Sequence, residues 1–471
     1  MPAEPDPTTL TAPPGSAKHH FSLDVRFPVY SIAWINDDEV VLAGGGGGSR
    51  TGVRNRLSLY SLSLPTRTLT LSASHTLSST EDAPMTIAYH PPSRTLVAGI
   101  NSAPEELEQG RNENLRVFEV KEGGMGIGEQ GEEEGERILY KRRTGTVRST
   151  DPDQYQKVTA FTRPLPSPSP STSSSSPSDP LVALGSTNAQ LSLVRFPELE
   201  EVWPPAWYTA SGSAPLPKRE GEEKGKGAEE EEVVDVDFDD RGELLVGTSP
   251  TRLSVYPTSK SPYLSRAPEP VQVIERPVLK KEMKCVFRAA KFGRRETASH
   301  LYTVVNASPL VPSSLNQKQR RAFEKKVPKK AFVSLWDAQS WTLLKTRTVC
   351  QKPVTVFEVS EDGERLAYGG SDLSVGVLDA RTLRPILTIL HAHDFPVTSL
   401  KFNPSGTVLI SGSADNSVRI IKVPAQGKER PSGATTTTYA LLLTLLILLV
   451  AIAVQMGVGE EVWRAARGAG L

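Results

Sequence analysis

The sequence predicts an all-β domain followed by one membrane-spanning helix. Along most of the chain, apolar and polar residues alternate with a period of two in short runs separated by Gly, Asn, Asp and Ser, which is the pattern of half-buried strands. A unit of strands and turns recurs several times between residues 29 and 423. Near the C-terminus, residues 439–458 are predominantly apolar and carry no charge, and about 20 such residues span the hydrocarbon core of a bilayer.

The clearest repeat unit covers residues 391–423. It places His393 before a first strand, the turn Asn-Pro-Ser-Gly at residues 403–406, and Ser413 and Asp415 before a last strand. This order is similar to a WD40 repeat, in which such a His, a hydroxyl and an Asp form a hydrogen-bonded network within one propeller blade. We therefore assign structural rather than catalytic roles to His393, Ser413 and Asp415.

Six further segments repeat this pattern more weakly. They are residues 29–60, 85–120, 157–196, 233–256, 284–337 and 354–379. One of them ends in a true Trp-Asp pair, Trp336 and Asp337, whereas the clearest unit has Ile-Lys at residues 421–422. The sequence thus predicts a seven-bladed WD40-type β-propeller, although six blades with an irregular edge would give a similar pattern. The alternating segment Phe21–Arg26 is expected to close the ring by adding a strand to the last blade.

Composition sets the predicted domain boundaries. They are a disordered N-terminus (1–20), a cytosolic propeller (21–423), a linker (424–438), a transmembrane helix (439–458) and a short luminal tail (459–471). Four inserts have the composition of disordered loops. They are residues 121–151, 163–180, 210–232 and 312–330. The first residues form no apolar signal segment, so the propeller is expected on the cytosolic side.

Charge, cysteine content and motifs exclude several functional classes. Lys and Arg total 54, as do Asp and Glu, so no global field favours nucleic acid. Cys285 and Cys350 cannot form a disulfide scaffold and match no zinc-ligand spacing. The basic residues at 317–330 are expected to be a solvated loop, with anionic lipid and then nucleic acid as the alternatives. No motif of hydrolases, metalloproteases or P-loop proteins occurs, so neither covalent chemistry nor a small-molecule substrate is expected.

A run of five glycines is the main candidate for a functional site. It consists of Gly44, Gly45, Gly46, Gly47 and Gly48. Glycine loses more backbone freedom on folding than any other residue, so this run needs a reason such as positive φ angles, a bound ion or a partner. The alternative is a flexible hairpin tip. A phosphate-binding loop is excluded because the run lacks a following Lys-Ser/Thr and leads into a strand.

Two regions carry a resemblance to a known family. The first holds Phe27–Tyr30, the glycine run and Thr51–Asn55, and the second holds Lys284–Arg288, Leu301–Thr303 and the Trp-Asp pair. Together with the C-terminal apolar span, they resemble the WD40 exchange factors anchored in the endoplasmic reticulum, the family of prolactin regulatory element-binding protein. The resemblance implies a guanine-nucleotide exchange factor that loads GTP onto a Sar-family small GTPase and so starts COPII coat assembly in transport from the endoplasmic reticulum to the Golgi.

The resemblance also implies roles for the residues of the glycine loop. Gly44 to Gly48 and Asn55 match the positions that hold a potassium ion, and the positions that contact the GTPase are Thr51, Gly52, Val53, Arg54 and Asn55. The physics agrees, because backbone carbonyls can surround a weakly hydrated monovalent cation. A loop ordered in this way could present Val53 to the partner without a further ordering cost. The alternatives are a non-catalytic membrane-tethered scaffold and a nucleic-acid-binding regulator.

Overall fold

A computed structural model of the chain describes most of the predicted propeller. The described residues are 8–17, 19–48, 52–121, 137–147, 149–163, 179–209, 230–259, 266–279, 282–424 and Thr444. The chain divides into two units, Met1–Val423 and Pro424–Leu471.

The first unit is built almost entirely of strands. In chain order the first fifteen are β1 (Thr9–Thr11), β2 (His20–Asp24), β3 (Val29–Trp34), β4 (Glu39–Gly44), β5 (Arg56–Ser63), β6 (Thr68–Thr76), β7 (Thr86–His90), β8 (Thr95–Gly99), β9 (Leu115–Val120), β10 (Ile138–Thr144), β11 (Gln156–Phe161), β12 (Leu181–Ser186), β13 (Gln190–Arg195), β14 (Glu200–Trp207) and β15 (Asp235–Phe238). The others are β16 (Leu244–Thr248), β17 (Arg252–Pro257), β18 (Gln272–Glu275), β19 (Met283–Phe292), β20 (His300–Pro309), β21 (Lys330–Asp337), β22 (Leu343–Cys350), β23 (Val354–Val359), β24 (Arg365–Gly370), β25 (Val375–Asp379), β26 (Pro385–Ile389), β27 (Val397–Phe402), β28 (Val408–Ser413) and β29 (Ser417–Lys422). Among the described residues, two short α-helices, α1 (Pro104–Glu108) and α2 (Gln317–Lys326), and two 3-10 helices, Pro91–Ser93 and Arg295–Thr297, interrupt them.

The strands form seven antiparallel sheets, which are the seven blades of the predicted propeller. Their strand orders are β1-β6-β5-β4-β3, β10-β9-β8-β7, β11-β12-β13-β14, β15-β16-β17-β18, β19-β20-β21-β22, β23-β24-β25-β26 and β2-β29-β28-β27. The last blade combines both ends of the unit, since β2 pairs with β29 in the register Phe21 to Ile420. The predicted closing strand is therefore confirmed, and it removes the open edge that the last sheet would otherwise expose.

The hydrophobic core lies between the blades. One cluster joins Val41 and Leu57 of the first blade to Ile87 and Phe118 of the second. Because both faces of each sheet pack against neighbours, the middle strands are nearly continuous apolar runs, such as β28 with all six residues buried. Outer strands such as β22 are mostly exposed. They too lack the simple alternation, because most residues on both of their faces are exposed.

Several predicted boundaries need correction. Residues 1–20 are not wholly irregular, because β1 pairs with β6. The predicted disordered insert at 121–151 contains β10, which is the outer strand of the second blade. The insert at 312–330 contains α2, whose Asn316 cap accepts a hydrogen bond from Gln319 N at 2.9 Å. Composition did not predict α2, because this helix has no buried residue. A solvated basic helix and a solvated loop have similar compositions.

The remaining predicted segments lie largely outside the described part of the chain. These are residues 164–178 and 210–229 of two inserts, the linker after Pro424, the tail, and the predicted membrane helix except for Thr444. Among the described residues, none of the helices is both long and apolar enough to cross a bilayer.

The glycine run and α2 lie on one face of the propeller. Successive strands in a blade run in opposite directions, so every loop between a second and a third strand emerges on the same side as the connections between blades. Residues 45–55 join β4 to β5, and α2 lies between β20 and β21; both are such loops. We call this side the glycine-loop face.

Candidate functional site

The beginning of the glycine loop is tightly packed. A side chain at Gly44 would place its Cβ 1.9 Å from the carbonyl oxygen of Pro28. At Gly45, where φ is +143°, a Cβ would lie 2.4 Å from Asn55 Oδ1 and 2.6 Å from Asn55 Cα. Gly47 has a φ of +68°, which L-residues with side chains rarely adopt. Crowding and backbone conformation therefore explain the glycines at these three positions without any ligand.

The amide of Asn55 holds the two sides of the loop together. Its Oδ1 accepts a hydrogen bond from Gly47 N at 2.9 Å, and its Nδ2 donates to Gly47 O at 3.2 Å. The same Nδ2 donates to Glu81 O at 2.9 Å, in the connection to the second blade. Asn55 is only 7% exposed, so these bonds are shielded from water and help to fix the loop against its neighbour.

The predicted contact residues differ in exposure. Gly52 and Arg54 are exposed, whereas Val53 is half-buried and packs against the cluster between the first and last blades, which includes Phe27. The carbonyl oxygen of Val53 accepts a hydrogen bond from Gly46 N at 3.3 Å. Val53 thus supports the loop from within and exposes only part of its side chain to solvent. Thr51 lies outside the described residues.

The oxygen atoms around the loop have the chemistry that a potassium ion requires. They are the glycine carbonyls, Asn55 Oδ1 and the carboxylate of Asp82, whose Oδ1 lies 3.5 Å from a Cβ position built on Gly47. Within the described part of the chain, no group of three His, Cys, Asp or Glu side chains could hold a metal ion. A cation at this loop would therefore rely mainly on backbone oxygens, which suit a monovalent ion.

The predicted network in the last blade forms around His393. Its Nδ1 and Nε2 lie 2.8 Å from Ser417 Oγ and Ser411 Oγ, and Asp415 Oδ2 lies 3.4 Å from Nδ1. Burial lowers the pKa of His393 to about 4, so the ring is neutral at physiological pH. Ser413 is not a partner of this ring, because its hydroxyl donates to the carbonyl oxygens of Phe395 and Pro396.

The Trp-Asp pair belongs to the fifth blade and is separate from His393. Trp336 Nε1 donates to Thr303 Oγ1 at 3.0 Å, and Asp337 Oδ1 accepts from the backbone N–H groups of Gln339 and Ser340. The first contact joins neighbouring strands within the blade, and the second closes the turn after it. Trp336 and Asp337 therefore have structural contacts in a different blade from His393, Ser413 and Asp415, and the hydroxyl partners of both groups were missed.

In the sixth blade, a cysteine takes the place of the histidine. Cys350 lies four residues before β23, as His393 lies four residues before β27. Its Sγ lies 3.0 Å from Asp372 Oδ2, and burial together with Asp372 raises the pKa of the thiol to about 11. The identical spacing to the following strand was the signal that could have identified this substitution.

Comparison with known proteins agrees with the propeller fold and with the contacts within the blades. A family model described as WD domain, G-beta repeat matches residues 384–422. Over 90% of its length the chain is 20% identical to the guanine nucleotide-exchange factor SEC12 of Candida glabrata, and the match covers 77% of that protein. The resemblance to this group of WD40 proteins is thereby confirmed.

Two other relatives match only short segments. SEC12-like protein 2 of Arabidopsis thaliana is 29% identical over 91 residues, which is 19% of this chain and 23% of that protein. The serine-threonine kinase receptor-associated protein of Dictyostelium discoideum is 34% identical over 90 residues, 19% of this chain and 30% of that protein. In both cases the match spans less than a third of the relative.

Proposed function

We propose that this chain is a guanine-nucleotide exchange factor for a Sar-family small GTPase, acts at the endoplasmic reticulum membrane, and thereby initiates COPII coat assembly. Similarity to a protein named as an exchange factor, extending over 90% of the chain, supports the general activity. The observation that carries the site assignment is the glycine loop, which Asn55 fixes through hydrogen bonds to Gly47 and Glu81. The Sar-family partner and the location at the endoplasmic reticulum membrane are proposed from the family resemblance of the glycine loop and of the C-terminal apolar span.

The proposed mechanism is differential binding without proton transfer. The loop binds the nucleotide-free GTPase more tightly than the loaded form, so nucleotide leaves and GTP, in excess, refills the site. Residues 52–55 are the described part of the contact. Because Asn55 orders the loop in advance through Gly47 and Glu81, little conformational entropy is lost on each encounter. A potassium ion held by Gly44 to Gly48 and Asn55 would order the loop further.

The activity test is the release of a fluorescent guanine nucleotide from the GTPase, with the full chain in detergent micelles. Wild-type protein is expected to accelerate release, and Val53→Asp to reduce the acceleration at least about tenfold, because a carboxylate is costly to desolvate in a contact. Val271→Asp is the matched control, since Val271 is 56% exposed and precedes β18 on the opposite face. Absence of acceleration by wild-type protein would leave the scaffold alternative.

The ion is tested in the same assay by replacing potassium with choline at equal ionic strength. We expect slower exchange in choline and recovery on adding potassium. Equal rates in both salts would show that Asn55 orders the loop without an ion, and would remove potassium from the mechanism while leaving exchange itself intact.

A further inference from the structure

A repeated irregularity of the inner strands lines the mouth of the central channel. In five blades the pairing of the first strand shifts by one residue, which leaves a bulge residue between two paired positions. The bulge residues are Tyr30, Lys157, Arg288, Thr355 and Thr398. β-bulges redirect side chains and are frequent beside functional sites. We call these five residues the bulge ring.

All five members of the bulge ring line a single cavity of about 420 Å³. Four of them are the second residue of their strand, and Arg288 is the sixth residue of β19. Because the four lie on the side where the blades are connected, the cavity opens on the glycine-loop face. Every member carries a hydrogen-bond donor and none is acidic. Tyr155, next to the ring in the third blade, adds another hydroxyl to the wall.

Among the described residues, one of the four cations around this cavity has no carboxylate within 4 Å. Three of the four cations in its wall are paired: Lys157 with Glu232, Lys291 with Asp235, and Lys401 with Glu358. Across the described part of the chain, Arg288 forms no ion pair within 4 Å, and its only side-chain hydrogen bond goes to Val234 O at 3.3 Å. A guanidinium has five N–H donors, so four of them have no hydrogen-bond partner among the described residues.

The two tyrosines leave further donors unused. The hydroxyls of Tyr30 and Tyr155 have no hydrogen-bond partner among the described residues, although both side chains are half-buried. Burial, and then Asp82, raises the pKa of Tyr30, and burial followed by Glu232 raises the pKa of Tyr155. Both hydroxyls therefore keep their protons at physiological pH. Burial lowers the pKa of Arg288 against the opposing attraction of Asp235 and Glu232, which expresses the cost of a buried cation without a carboxylate in direct contact.

We propose that the bulge ring is a binding site for a small oxyanion, such as a phosphate group, which is held by Arg288 and by the hydroxyls of Tyr30 and Tyr155. A phosphate or pyrophosphate would satisfy the guanidinium through charge-assisted hydrogen bonds and would place an anion in direct contact with it. Asp82 lies near both tyrosines and beside Gly47, so an anion in the channel would alter the electrostatics next to the glycine loop. This inference stands independently of the exchange activity.

The test is equilibrium binding of inorganic phosphate and of pyrophosphate to the full chain, by calorimetry and by the thermal unfolding midpoint, with chloride at matched ionic strength. We expect saturable binding by wild-type protein and an increase of at least about tenfold in Kd for Arg288→Gln, since the variant loses charge-assisted hydrogen bonds to the anion. Arg381→Gln is the control, because Arg381 is an exposed arginine on the opposite face.

Two further results decide the proposal. Tyr155→Phe removes a single oxygen and is expected to weaken binding without unfolding the protein. This variant therefore still tests the proposal if Arg288→Gln fails to fold. The proposal is overturned if neither anion binds saturably, or if Arg288→Gln binds both as well as wild type. It is also overturned if Arg288→Gln slows only association with the GTPase, because a carboxylate of the partner would then be the occupant.

Discussion

The Asn55→Ala variant separates the function of the glycine loop from the stability of the propeller. The substitution removes three side-chain hydrogen bonds, two to Gly47 and one to Glu81. At about 1 kcal/mol each, the loop loses about 3 kcal/mol of ordering free energy. Since 1.4 kcal/mol corresponds to a factor of ten, the ordered fraction can fall about a hundredfold.

The assay is nucleotide release from the GTPase, measured with thermal unfolding of the same preparation. We expect the acceleration to fall at least about tenfold, while the unfolding midpoint falls by only a few degrees, because the loss is confined to one blade of a large domain. Raising the concentration of the exchange factor is expected to recover part of the rate, since a small population of ordered loop remains.

The matched control is Asn114→Ala. Asn114 precedes β9 as Asn55 precedes β5, is fully buried, and donates to Thr146 and Gln156 while accepting from the backbone of Thr146 and Val147. It should destabilise the second blade at least as much and leave exchange unchanged. Equal losses of exchange in both variants would refute a local role for Asn55, and so would an unchanged rate in Asn55→Ala.

The remaining predictions concern the loop entry, pH and the membrane. Gly45→Ala should abolish exchange because its Cβ collides with Asn55, whereas Gly15→Ala, with a similar strain at φ +82° but no atom within 4 Å, should leave the rate unchanged in the same assay. The pKa of His393 is about 4 in the folded protein and about 6.5 in the unfolded chain. Denaturant titrations should therefore show that the free energy of unfolding falls by about 3 kcal/mol as the pH falls from 6.5 to 4. The variant His393→Gln should lack this pH-dependent loss of stability. Lys401 and Arg294 outweigh burial and lower the pKa of Glu358 to about 2, so Glu358→Gln should destabilise the protein at pH 7 by about 3 kcal/mol, an effect that shrinks below pH 4.5. Deleting residues 439–458 should leave exchange in solution and remove the protein from membrane fractions.

The sequence by itself determined the repeated architecture. The local patterns were seven strand-and-turn units, the closing segment at residues 21–26 and the glycine run. The structure contains each of them, because period-two alternation and turn residues act over only a few positions. The local pattern of His393 and Asp415 was also sufficient to predict a structural contact. It was not sufficient to identify Ser411 and Ser417 as partners, since several nearby serines have similar spacing.

Only the tertiary structure decided which distant residues meet. Asn55 reaches Glu81 in the next connection, and the bulge ring gathers one side chain from each of five blades around a single cavity. Such residues, from 26 positions apart for Asn55 and Glu81 to 368 for Tyr30 and Thr398, leave no signal in a local pattern, because their proximity depends on ring closure and on the register of each sheet. The glycine run predicted a site, but the packing of Val53 and the bonds of Asn55 decided how that site is held.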